Sequence, residues 1–183
     1  FNIAAKASIT FRVEIDDAAS QVPFVTLKPG LVAVGQANQS TYRFSIPEAI
    51  SAIVENHTND DGSVSRVAYF GTQTNPITVY QGSLVENTFL VMTNQDQRFI
   101  LDNPQIDSST ITVFVSKNNT SGLGRQFKKI DNILNLSKDS EIFLIQEIQD
   151  EKFEILFGDG FFGKKLENNN QIIARYIVTD GAK

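Results

Sequence analysis

The 183-residue chain has no cysteine and no tryptophan, and it carries a single histidine and a single methionine. Without cysteine there is no disulfide, no thiolate metal site and no sulfur nucleophile, which suits a reducing compartment. Long apolar runs are missing as well. None approaches the roughly 20 residues that span a bilayer, and Phe1-Asn2-Ile3-Ala4-Ala5-Lys6 lacks a secretory apolar core. A soluble protein is expected, and a start at Phe1 without Met implies a processed product or a fragment of a larger protein. Clustered positive charge is scarce: the net charge is −5, and the dense basic runs are Lys128-Lys129 and Lys164-Lys165. Phosphate backbones are neutralised by many grouped cations, so neither nucleic acid nor an anionic membrane is expected as a partner.

What is present favours strands and turns. Fourteen Phe stand among many Val, Ile and Thr, with frequent Asn, Asp and Gly clusters between them. β-branched and aromatic side chains fit a pleated, half-buried surface, and Asn, Asp and Gly tolerate turn dihedrals. Ile9, Phe11, Val13 and Ile15 alternate with Thr10, Arg12, Glu14 and Asp16, the signature of a sheet with one face in the core. Val22–Leu27 and Leu31–Val34 read as strands around Lys28-Pro29-Gly30, with Pro23 at a strand start or an edge because it has no N–H to donate. Residues 41–55 are open between two readings. Ser45 and Glu48 around Pro47, with Ile50, Ile53 and Val54 behind them, suit a capped helix; Tyr42–Ile46 alternates as a strand would.

Further strands are expected at Val64–Phe70, Ile77–Tyr80, Thr88–Met92, Arg98–Leu101, Thr110–Ser116, Ile142–Ile148, Lys152–Phe157 and Ile172–Val178. Lys117–Gly124 is expected to be a mobile loop, followed by a short helical turn around Ile130, Ile133 and Leu134. The last three strands read as an antiparallel meander. The expected fold class is therefore mainly β with a few short helices, either all-β or α+β, with antiparallel sheets in sandwich- or barrel-like modules. Two modules are expected: residues 1–75, whose first 20 residues are candidates to pair with the C-terminal sheet, and residues 76–183.

The chemistry-bearing motifs are few. Gly158-Asp159-Gly160-Phe161-Phe162-Gly163-Lys164-Lys165 follows a strand and satisfies the glycine and lysine spacing of a phosphate-binding loop. It fails at Lys165, where a hydroxyl is needed for Mg²⁺, and Leu166–Asn170 is a poor first helical turn for seating a phosphate. The better expectation is a structural loop in which Gly158, Gly160 and Gly163 supply backbone freedom and the Asp159 carboxylate accepts nearby N–H groups. Phe161 and Phe162 are candidate partner contacts, because adjacent side chains on extended backbone point opposite ways and cannot both enter one core. His57 sits in a polar turn without a nucleophile at suggestive spacing. Asp16-Asp17, Asp60-Asp61 and Asp150-Glu151 read as solvated turn residues, and no acidic residue closes Asn59–Gly62 as a calcium loop. No catalytic, cofactor-binding or metal-ligating set emerges.

The run Glu154-Ile155-Leu156-Phe157-Gly158-Asp159-Gly160-Phe161-Phe162-Gly163-Lys164-Lys165, followed by Ile172-Ile173-Ala174-Arg175-Tyr176, resembles the signature of baseplate J-like proteins. More closely, it looks like that of the baseplate wedge subunit of contractile-tailed, T4-like phages. Ile77–Gly82 with Thr88-Phe89, Phe99–Pro104, Asp107–Val113 and Tyr42-Arg43-Phe44 look similar too, so the resemblance spans residues 40–180. Leu166-Glu167 departs from it, since the family often has Pro there. The resemblance implies a structural scaffold that associates with itself and with other baseplate or tail proteins, located in the virion tail baseplate and assembled in the host cytoplasm. It implies no catalysis, no cofactor and no small-molecule substrate, and it tilts residues 41–55 towards strand. The alternative is a β-rich receptor- or carbohydrate-binding module of a tail fibre or adhesin, suggested by the many strands and Asn-rich loops, although tryptophan for stacking on sugars is absent.

Overall fold

A computed structural model describes residues 2–15, 22–117, 122–132 and 136–179. Among these the chain is β throughout; a 3-10 turn at Gln149–Glu151 is the single helical element. The strands are β1 (Lys6–Ile9), β2 (Phe11–Ile15), β3 (Phe24–Leu27), β4 (Gly30–Ala37), β5 (Ser40–Ile46), β6 (Ile50–Thr58), β7 (Val64–Phe70) and β8 (Ile77–Gln81). They continue with β9 (Ser83–Leu90), β10 (Phe99–Leu101), β11 (Ile106–Ser116), β12 (Arg125–Lys129), β13 (Ile142–Glu147), β14 (Phe153–Phe157) and β15 (Gln171–Val178). They fall into two compact units, Ala5–Ser83 and Phe1–Ala4 with Leu84–Lys183.

The Ala5–Ser83 unit is a sandwich of two four-stranded antiparallel sheets, ordered β1-β8-β5-β4 and β2-β7-β6-β3. Its core draws Ile46, Ile77 and Val79 from one sheet and Val54, Ala68 and Phe70 from the other. The alternation read from residues 9–15 is real but serves both sheets. The chain leaves β1 at Ile9 and enters β2 at Phe11, so Ala7, Ile9, Phe11, Val13 and Ile15 keep facing the core while the strand changes sheet. Phe11 stacks on Phe70 at 5.1 Å between centroids. Pro23 immediately precedes β3, an edge strand, where its missing N–H costs no ladder bond. The helical option for residues 45–55 is overturned. The Ser45 hydroxyl donates to the Gly82 carbonyl at 2.9 Å rather than capping a helix. Ile50–Thr58 forms β6, with Val54 opposite Ala68 in the core.

The second unit is a seven-stranded sheet ordered β10-β14-β13-β12-β11-β15-β9. Its edges curl towards each other: Phe89 of β9 and Phe99 of β10 meet edge to face at 5.7 Å. Phe99 continues to Phe157 at 5.6 Å, and Phe157 to Phe127 at 5.9 Å, so four rings form a chain inside the curl. Such contacts add about 0.5–1.5 kcal/mol each beyond area burial. Phe153, Ile155 and Phe157, and likewise Ala174, Tyr176 and Val178, face this core as their alternation requires. β11 begins earlier than expected, and its register shifts between Asp107 and Thr112. There the buried Asp107 carboxylate accepts from the N–H of Ala4 at 3.0 Å and from both the N–H and hydroxyl of Ser109, which closes the irregularity.

Three expectations need correction. The C-terminal strands are not a meander: β13 and β14 form an antiparallel pair, but β15 lies between β11 and β9, so the glycine loop joins strands that are not neighbours. β12, a polar segment with Phe127 as its one core residue, pairs with β13 in parallel. The unit boundary falls after Ser83 rather than after residue 75, because β8 pairs with β1 and β5. Of the first 20 residues, β1 and β2 pair within the sandwich, and residues 2–4 join the seven-stranded unit. Residues 16–21, the centre of the Lys117–Gly124 loop, and Ile133 and Leu134 of the expected helical turn lie outside the described residues.

Candidate functional site

The segment from Gly158 to Asn170 leaves β14 and crosses to β15. Its first turn closes on itself. The Asp159 Oδ1 accepts the N–H groups of Phe161 at 2.8 Å and Phe162 at 2.9 Å, as expected from the Asp position. Gly160 N–H donates to the Gly163 carbonyl at 3.1 Å. The turn is then tied to a distant segment: Gly163 N–H donates to the Ser137 carbonyl at 3.0 Å and Lys164 N–H to the Ser140 carbonyl at 2.8 Å. Ser137 and Ser140 hold each other through their hydroxyls at 3.1 Å.

The glycines act differently from one another. A Cβ on Gly158 would stand 2.1 Å from the Gly163 carbonyl carbon, and one on Gly163 would stand 2.8 Å from the Ile142 side chain. These are close approaches. A Cβ on Gly160 would make only an ordinary contact with the Lys165 Cβ at 3.7 Å, but the residue adopts φ +95°, a backbone conformation that side chains disfavour.

The charges reinforce the anchor. Lys164 Nζ donates to Glu141 Oε1 at 2.8 Å, and Arg125 Nη1 reaches the same carboxylate at 3.2 Å. The hydrogen bond from Lys164, more than its field and that of Arg125, holds the Glu141 carboxyl below its ordinary pKa. The Phe162 and Phe161 N–H groups do the same for Asp159. Two phenylalanines remain outside this network: Phe161 is 81% exposed and Phe162 53%. Both face outward from a turn braced on either side.

A phosphate cradle needs several amides converging on one anion, at the start of a helix. Here each N–H from Gly160 to Lys164 already donates within the chain, with the Asp159 carboxylate as the anion for two of them. The segment continues into a bridge between Gly158 and Lys165 and then strand β15.

The other singled-out residues have local partners. His57 Nδ1 lies 2.9 Å from the Tyr69 hydroxyl and Nε2 lies 3.3 Å from Arg12 Nη1. Arginine only donates, so Nε2 is the acceptor in the Arg12 contact. Asp61 accepts the Ser63 N–H and hydroxyl. Asp150 and Glu151 form a tight turn with φ 62° and 57°. Asp16 and Asp17 lie outside the described residues. Among the described residues no cluster of three or more His, Asp or Glu is placed to hold a metal ion. The anchors Ser137, Ser140 and Glu141 could not be read from the sequence, since the acceptors are mainly backbone carbonyls that any residue supplies. Neither the models of known protein families nor the curated proteins contain a match to this chain.

Proposed function

We propose that this chain is a structural module of a contractile phage tail baseplate wedge, working through protein–protein contacts, with Phe161 and Phe162 as contact residues. The observation that carries the proposal is a pair of adjacent exposed phenylalanines on a turn whose amides are all engaged internally. Aromatic side chains dominate binding hot spots, and a turn already fixed in shape loses little freedom on docking. The resemblance of Glu154–Lys165 and Ile172–Tyr176 to the wedge family supplies the setting, with the virion tail as location and the protein itself and other tail proteins as partners.

In this role the chain carries no catalysis. Light scattering on the intact protein, alone and mixed with tail proteins, tests the proposal. Stable complexes are expected, and a strict monomer in every mixture contradicts it.

A further inference from the structure

Next to the pinned turn, at one mouth of the curled sheet, lies a cleft of about 370 Å³. Barrel mouths are common ligand sites, and this volume is within the usual range of about 300–1,000 Å³. Lys164 and Leu166, on the outgoing leg of the glycine segment, form one wall; the ends of β11 and β12 form the other. The sheet is split here. β12 pairs with β11 over Arg125–Phe127, whereas β13 reaches only Lys128 and Lys129.

The lining has two characters. Val115, Phe127 and Leu166 give it an apolar side. Lys117, Arg125 and Lys164 share the lining with Glu141 and Glu167, three cations to two carboxylates in a chain whose net charge is −5. Arg125 contributes a specific feature. Its Nη1 alone makes both contacts with Glu141, at 3.2 and 3.4 Å, and its side chain is 78% exposed. Among the described residues nothing engages the Nε–Nη2 edge, the geometry that takes a carboxylate through two parallel hydrogen bonds. Ser116 also lines the cleft; it is 4% exposed and its hydroxyl has no hydrogen-bond partner among the described residues. Buried polar groups are nearly always paired, and rotation about χ1 lets this one meet an acceptor seated beside it.

We propose that this cleft binds an extended acidic peptide segment of a partner protein. One carboxylate seats on the free edge of Arg125, and a neighbouring apolar side chain lies on Leu166 and the rims of Val115 and Phe127. A polyanion such as single-stranded nucleic acid fits less well, because its backbone offers no alkyl side chain to lie on Val115, Phe127 and Leu166. That the partner is a protein rests on the assembly role proposed above.

The test is fluorescence anisotropy on the intact protein, using labelled, end-blocked Leu-Glu-Leu-Glu-Leu and its Leu-Gln-Leu-Gln-Leu counterpart. Saturable binding is expected for the acidic peptide, at least about tenfold tighter than for the neutral one. Arg125→Ala should weaken it about tenfold and Ser116→Ala about threefold, while Ile53→Ala, at an exposed position of the Ala5–Ser83 sandwich, leaves it unchanged. Equal binding of the two peptides, no saturable binding, or displacement by an oligothymidine overturns the inference. Complexes in light scattering without peptide binding sink this inference alone; peptide binding by a protein that is monomeric in every mixture sinks the assembly role instead.

Discussion

Gly158 and Gly163 meet backbone to backbone, so that a Cβ on Gly158 would stand 2.1 Å from the Gly163 carbonyl carbon. The loop's entrance and exit are thereby stapled without a side chain between them. Gly158→Ala forces these strands of backbone apart and should cost about 2–3 kcal/mol, as overpacking does. Gly160→Ala meets nothing nearer than the Lys165 Cβ at 3.7 Å. It should cost only about 1–2 kcal/mol, from the left-handed backbone alone. Urea unfolding of both variants gives the order, and a Gly160 variant as damaged as the Gly158 variant contradicts the close approach.

The Asp159 carboxylate is held below its ordinary pKa of 3.8 by the Phe162 and Phe161 N–H groups. A folded-state pKa below the unfolded one means stability that is present above the unfolded pKa and is lost as pH falls through the folded value. Asp159→Asn should therefore lower the melting temperature at neutral pH. The gap to the wild type should narrow once the pH drops below about 4. A gap of constant size from pH 7 to pH 2.5 would show that the charge on Asp159 does not brace the turn.

Two hairpins place ordinary residues where glycine is favoured. Asn38 and Gln39, between β4 and β5, have φ 49° and 66°; Asp150 and Glu151, between β13 and β14, have φ 62° and 57°. Asn38-Gln39 is a two-residue loop with positive φ at both central positions, the pattern that matches strand twist and usually carries Asn-Gly or Asp-Gly. Asp150 and Glu151 are instead the last two residues of a three-residue loop closed by the Ile148 N–H on the Lys152 carbonyl. Gln39→Gly and Glu151→Gly should each stabilise the protein by about 1 kcal/mol by removing left-handed strain. Thermal unfolding should show both melting temperatures rising, and a fall in either contradicts the turn geometry.

Phe127 and Phe161 are the same residue type with opposite roles. Phe127 closes the chain of rings in the core and is 4% exposed, whereas Phe161 is 81% exposed. Phe127→Ala should cost about 3–5 kcal/mol, and Phe161→Ala should stay within about 0.5 kcal/mol. Chemical denaturation of the two variants measures the contrast directly.

How much of this was legible in the sequence differs from element to element. Period-two alternation exposed the inward faces of β14 and β15 because Phe153, Ile155, Phe157, Ala174, Tyr176 and Val178 all lie in one core. It could not name their neighbours, since the pattern says which face is buried and not which strand lies alongside. Hence the pairing of β15 with β11 was missed. β12 was invisible because Arg125, Gln126, Lys128 and Lys129 surround its single core residue, Phe127. β6 looked helical because Ile53 falls at helical spacing with Ile50 and Val54, yet Ile53 is 77% exposed.

At the site, the Asp159 turn was legible because a side chain makes it. The carbonyl anchors at Ser137 and Ser140, and the Arg125–Glu141–Lys164 cluster, come from residues far apart in the chain.

The central claim is that Phe161 and Phe162 join this protein to its partners. Sedimentation velocity on the intact protein with tail proteins, comparing wild type with the Phe161→Ser, Phe162→Ser double variant, tests it most directly. The account predicts complexes that weaken by at least about 30-fold in the variant, the scale of a hot spot worth roughly 2 kcal/mol, with an unchanged melting temperature. Complexes of equal strength in the two proteins would contradict it.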